Sequence, residues 1–197
     1  MPMITEACKT GMLHLSKSFV YYPDHHANFH FEEKNVAGAG KAYFSSNAPC
    51  VVMRATNQAP LLWALNNRKC AEGAFVTFDA DGCRLHIVEM KSKLTQGTWA
   101  KVLLQFNGMY LSALATARIL GIESFTSVTC YIAYTEDAMN PDKSADMILI
   151  KPFVGVPNPV GGATEWEKER CLLPLNQAAT IRKTQRDANN DANFGLV

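Results

Sequence analysis

The clearest pattern along the chain is a helical stripe. Trp99, Val102, Leu103, Phe106, Tyr110, Ala113, Leu114 and Ala117 recur at intervals of three and four. That spacing predicts an amphipathic helix from about Gln96 to Leu120. Thr95 suits its N-cap and Gly121 its C-terminal stop. Just upstream, Ala71 to Phe78 and Cys83 to Lys91 are two β-rich runs separated by Asp79-Ala80-Asp81-Gly82. Asp-Gly between such runs predicts a β-hairpin. Ser127 to Tyr134 predicts a further strand, and Met147 to Ile150 a short one.

The N-terminal part, to about Arg54, reads as β-rich, with strands at Ser18 to Tyr22, Asn28 to Phe31 and Cys50 to Met53. Pro60 can open a short helix running to Asn67, because proline lacks an N–H that the first turn does not need. Prolines and glycines between Pro152 and Gly162 mark an irregular arm. Residues 181–197 are polar and weakly patterned, and read as a mobile tail. The expected organisation is a single domain over residues 1–180, with its core at 55–152, followed by that tail. Hairpin, long helix and further strand together predict an α/β core.

Bulk composition adds limits. Of the residues, 48% are hydrophobic, enough for a real core, and the formal net charge is +1. A global positive field is therefore not the means of gathering an acidic polymer. No apolar run approaches bilayer length, and Met1 to Leu15 lacks the layout of a secretion signal. The 6 cysteines are scattered, with no Cys-x-x-Cys pair. They read as free thiols in a reducing, cytoplasmic setting.

The candidate chemistry lies at the end of the second hairpin strand. Residues i and i+2 of a strand share a face, so Glu89 and Lys91 lie on the same side as Leu85 and Ile87. Charges at the end of an apolar stripe need partners, because burying a lone charge is costly. A two-residue Asp81-Gly82 loop would set Glu72 opposite Lys91. A four-residue loop would set it opposite Glu89. Either register gathers Glu72, Glu89 and Lys91 on one face. Two acids and a lysine suit metal-assisted phosphodiester cleavage. Carboxylates bind Mg2+, and the ammonium serves the attacking water or a phosphate oxygen.

Glu72…Glu89-Met90-Lys91, on a hairpin followed by a long helix, resembles the PD-(D/E)xK nuclease superfamily over roughly Arg68 to Tyr134. The resemblance implies a restriction-endonuclease-like mixed sheet with the helix packed over the hairpin. It also implies Mg2+, with Mn2+ as substitute, at Glu72 and Glu89. Gln105, at the edge of the helical stripe, looks like the glutamine that the family's helix often places near the metal. Ser92 and Lys93 extend the motif in the manner of many members. Three features depart from the family pattern. Glu72 replaces the usual aspartate and has no proline before it. Met109 stands where one branch has tyrosine. Upstream, only Glu32 and Glu33 are candidates for a helical glutamate.

Plainer readings compete for several residues. An acid-x-lysine at a strand end, taken alone, is most often a solvated edge, and Gln105 alone is as readily a surface amide. Lys93 and Lys101 read as solvated. His25, His26 and His30 cluster around a turn without a matching cysteine or acidic motif, and read as polar surface. Asp79 has the wrong parity to join Glu89, and Asp81 is a turn residue. His86 falls on the opposite hairpin face. Arg182, Lys183 and Arg186 form a basic group that reads as part of a soluble tail.

The expected function is a metal-dependent nuclease acting on DNA ahead of RNA, of the kind that serves restriction, repair or bacterial defence. It would work as a homo-oligomer or beside a partner protein, without a membrane. The alternatives are an RNA-cleaving version of the same fold and an inactive member that binds or scaffolds.

Overall fold

The computed structural model describes residues 4–23, 28–33, 39–55, 64–139 and 163–197. Seven strands form the main sheet: β1 (Val20–Tyr21), β4 (Cys50–Arg54), β5 (Gly73–Asp79), β6 (Gly82–Leu94), β7 (Ser127–Asp137), β8 (Arg170–Leu173) and β9 (Gln177–Gln185). Their order is β1-β4-β5-β6-β7-β9-β8. The pairs β6–β7 and β7–β9 are parallel, and the others are antiparallel. A second sheet of three strands, β2 (Phe29–Glu32), β3 (Lys41–Ser45) and β10 (Ala192–Leu196), has the order β10-β3-β2. The helices are α1 (Glu6–Met12), α2 (Gln96–Ile119) and α3 (Ala163–Lys168).

The alternation of strand side chains divides the interior into two cores. One face of the main sheet presents Val51, Met53, Ala74, Val76, Leu85, Ile87, Cys130 and Ile132 to Trp99, Val102, Phe106, Met109 and Ala113 of α2. The other face presents Val52, Phe75, Val88, Met90 and Tyr131 to Phe29, Phe31, Ala42 and Phe44 of the second sheet. The result is helix, mixed sheet and small sheet in layers, an α/β arrangement. Among the described residues no helix is long and apolar enough to cross a membrane.

α2 forms as its pattern predicts. Thr95 accepts a hydrogen bond from the Thr98 amide at 3.2 Å, and Thr98 Oγ1 accepts one from the Thr95 amide at 2.6 Å, a reciprocal capping box. Gly121 follows the last turn at φ +72°, a conformation open to glycine at no steric cost. The helix links the end of β6 to the start of the parallel strand β7, the crossover that parallel pairing requires.

The hairpin settles on the second of the two registers weighed above. Gly73 pairs with Val88, and the ladder closes with Asp79 opposite Gly82, leaving Ala80 and Asp81 as the loop. The same frame sets Glu72 level with Glu89. β6 runs on to Leu94, beyond the expected end at Lys91.

Residues 181–197 are not a tail. β9 pairs in parallel with β7 and antiparallel with β8, so a boundary at residue 180 would cut through a strand of the main sheet. β10 pairs in parallel with β3, with Ala192 opposite Ala42. Local pattern misled because both strands carry mostly polar outward residues, and their partners are remote in sequence. The N-terminal part also holds α1, which the β-rich reading passed over although Thr5 caps it, accepting from the Cys8 amide at 3.2 Å. The first half of the helix expected from Pro60, the strand at Met147 to Ile150, the arm from Pro152 and both His25 and His26 lie outside the described residues, and residues 64–67 are turn and irregular chain rather than helix.

Candidate active site

Glu89 lies on the α2 side of the central strand β6, one position past Val88, and is fully buried. The strand's apolar run carries it inside. Its Oε1 accepts from Lys91 Nζ at 2.6 Å and from the Met90 amide at 3.0 Å. Its Oε2 is buried and has no hydrogen-bond partner among the described residues. Burial pushes the Glu89 carboxyl up to about 7; Lys91 pulls it back, and the nearby Glu72 carboxylate pushes it up further. Glu72 is buried beside it, immediately before β5. Lys91 remains 23% exposed, at the mouth of the cluster.

The three residues therefore come together as the hairpin predicts, but Gln105 takes a different part. Its Nε2 donates to the carbonyl of Cys70 at 3.5 Å, two residues before Glu72. Gln105 thus holds the backbone that carries an acid. Lys93 pairs with Glu136 at 2.6 Å, both more than half exposed, which fits a solvated lysine.

Four candidates set aside in the sequence, Asp79, Asp81, His30 and His86, are engaged away from the cluster. Asp79 and Asp81 both engage Arg84, at 3.3 and 3.1 Å. His30 hydrogen-bonds Glu32 at 3.0 Å on the edge of the small sheet. His86 belongs to the aromatic core on the opposite face. It stacks on Phe75 with centroids 4.3 Å apart, and its nitrogens reach Thr77 Oγ1 at 3.2 Å and Tyr131 OH at 3.1 Å.

Burial, with smaller contributions from Arg84 and Arg182, lowers the His86 pKa to about 3, so the ring is neutral in the fold. The unfolded chain takes up this proton below the ordinary pKa of 6.5, and the folded chain does not. Stability is consequently lost as pH falls from 6.5 toward 3. Between pH 6.5 and 5 the loss from this group is about 2 kcal/mol, at about 1.4 kcal/mol per pH unit. Urea denaturation of wild type and His86→Phe at pH 6.5 and pH 5 checks this. The stability difference between the two proteins should shift by that amount in favour of the variant at pH 5. An unchanged difference would mean that the ring is protonated in the folded protein.

The basic group Arg182, Lys183 and Arg186 is divided by the strand it occupies. Arg182 is exposed on the small-sheet face. Lys183 faces the α2 side, in the row Glu89–Ile132–Lys183 across three strands. Its ammonium lies 4.4 Å from the centre of the Trp166 ring and pairs with Glu169 at 3.0 Å, so it is tied to the α3 region. Arg186 is buried against Glu33. Tyr134, level with Lys91, packs on Trp166 at 5.5 Å, and Trp166 packs in turn on Trp99 at 5.2 Å. This aromatic wall beside the cluster went unseen in the sequence, because α3 is too short to show a period.

The donor set fits a hard divalent cation. Two carboxylates suffice for Mg2+, which keeps several of its own waters, and Oε2 of Glu89, without a hydrogen-bond partner among the described residues, offers a buried oxygen for it. No group of three or more His, Cys, Asp or Glu side chains assembles among the described residues. Comparison with protein-family models, with curated proteins and with solved structures finds no match.

Proposed function

We propose that the chain is a metal-dependent nuclease that hydrolyses phosphodiester bonds, with DNA ahead of RNA as substrate and a restriction-endonuclease-like core. The observation that carries this reading is the buried Glu89–Lys91 pair, with Glu72 alongside, just past the end of the β5–β6 ladder on a central strand beneath a long helix. A carboxylate fully removed from water inside a sheet weakens the fold by itself, and such perturbed acids concentrate at functional sites.

In this reading Glu72 and Glu89 hold the cation. When bound, Mg2+ would acidify a water and stabilise charge on the phosphoryl oxygens. Lys91 reaches the solvent-facing side of Glu89, where its ammonium orients the attacking water or holds a nonbridging phosphate oxygen. The net charge of +1 favours a second copy or a partner protein as the means of gripping the polymer. Work in bacterial defence against foreign DNA would fit a compact effector subunit of this kind, by analogy alone.

The test is cleavage of plasmid DNA and of a structured RNA with Mg2+, with Mn2+ and with chelator. Metal-dependent cutting by wild type should fall about 100-fold or more in Lys91→Ala. Equal cutting by both proteins would remove Lys91 from the mechanism. If wild type does not cut, metal binding that disappears in Glu89→Ala favours a missing partner, and no binding at all favours an inactive scaffold.

A further inference from the structure

Glu72 poses a positional problem. The β5–β6 ladder ends at Gly73, one residue short of it, and beyond that the Ala55 amide, donating to the Glu72 carbonyl at 3.3 Å, ties its backbone to the β4 side. What lies before it is a stretch of irregular chain from Asn67 to Ala71, laid across α2. That stretch is fastened at successive points along one side of the helix. Asn67 Nδ2 donates to the Leu104 carbonyl at 2.7 Å, and Asn67 Oδ1 accepts from the Lys69 amide at 3.1 Å. At Gly108, one turn on, the two backbones approach so closely that a β-carbon would collide with the Lys69 carbonyl oxygen. Gln105 reaches the Cys70 carbonyl at 3.5 Å, and one turn further Ser112 lies 3.9 Å from Cys70 Sγ. Leu104, Gly108 and Ser112 are spaced by four, the interval that lines up residues on one helical face.

We propose that Asn67, Gln105 and Gly108 form a clamp that fixes the Glu72 carboxylate relative to Glu89, making α2 the positioning element for the first acid. This rests on the reading of Glu72 and Glu89 as a cation site. Gln105 is then a positioning residue, acting through the Cys70 carbonyl two residues upstream of Glu72. The helix needs glycine at 108 because that is where the incoming chain is pressed against it. Removing an outer contact of this kind weakens cation binding about 10- to 100-fold without touching a ligand.

The experiment titrates Mn2+ alone into the full chain, read by electron paramagnetic resonance, in wild type, Asn67→Ala, Glu72→Gln and the Asn67→Ala/Glu72→Gln double variant. Amide hydrogen exchange is followed on the same proteins. Asn67→Ala should weaken Mn2+ binding about 10-fold and speed exchange at residues 69–73, with α2 still protected. In the Glu72→Gln background the same change should cost nothing further, which a merely structural role would not produce. Gly108→Ala should act in the same direction and more strongly; Asn67→Ala keeps the test open where the glycine variant does not fold. Unchanged affinity in Asn67→Ala, or an equal loss in both backgrounds, overturns the clamp while leaving the cation site standing. Absence of Mn2+ binding by wild type instead removes the cation reading. The clamp is then decided by exchange: unchanged rates at residues 69–73 overturn it, and faster rates confined there support it.

Discussion

Glu89→Gln should abolish metal-dependent cleavage and at the same time make the protein more stable at pH 8. The Glu89 carboxyl titrates near 7 in the fold, against 4.5 as the ordinary value. Between those values the unfolded chain releases this proton and the folded chain keeps it. Stability therefore falls as pH rises from 4.5 to 7, and the full cost is present above pH 7. At about 1.4 kcal/mol per pH unit the cost is on the order of 3 kcal/mol. Glutamine mimics the protonated acid in shape and hydrogen bonding, and carries no charge to desolvate. The variant should match wild type near pH 4 and exceed it by that amount at pH 8, in urea denaturation followed by circular dichroism. A variant less stable than wild type at pH 8 would show that the Lys91 ion pair outweighs burial. The comparison also separates Glu89 from His86, whose slope has the opposite sign. Between pH 5 and 6.5 the two partly cancel in wild type, so each variant exposes the slope of the other.

The second large effect is expected far from the site. Arg186, at the end of β9, pairs with Glu33, just past β2, at 2.5 Å, and the two side chains are 0% and 8% exposed. Arg186 also donates its amide to the Tyr134 carbonyl at 2.7 Å, so the pair fastens the edge of the small sheet to the main one. Glu33→Ala removes a carboxylate that pairs with a buried guanidinium and should cost about 3 kcal/mol. In a chain of this size that is a fall of about 10 °C in Tm. Glu33→Leu/Arg186→Met removes both charges and should recover much of the loss, because the pair's own attraction is largely offset by desolvation. Calorimetry of the single and double variants decides the point. Losses that simply add would mean that the two charges are not coupled.

These two residues show where reading the sequence reached its limit. Glu33 appeared only as a weak candidate for an extra acid, and Arg186 as part of a polar tail. Neither assignment holds, because their pairing joins positions 153 residues apart, and no local window holds both. The same applies to β10, whose neighbour Asp191 accepts from the Lys41 amide 150 residues away. Parallel pairing between remote strands leaves no mark in local periodicity. Arg182, Lys183 and Arg186 looked like one basic group because they are adjacent in sequence, yet a strand sends neighbours to opposite faces.

What the sequence determined by itself is local. The capping of α2 by Thr95, its stop at Gly121, the hairpin and the shared face of Glu72, Glu89 and Lys91 all follow from helix and strand periods acting over a few residues. Tertiary structure alone decided three further matters. It chose the register that sets Glu72 level with Glu89. It buried Glu89 completely, by setting β6 between β5 and β7 beneath α2, and so raised its pKa. It also turned Gln105 toward the Cys70 carbonyl, because the chain before β5 lies against the helix at Gly108. Periodicity tells which face a side chain takes. How deeply it is buried, and what meets it there, depends on elements that arrive from elsewhere in the chain.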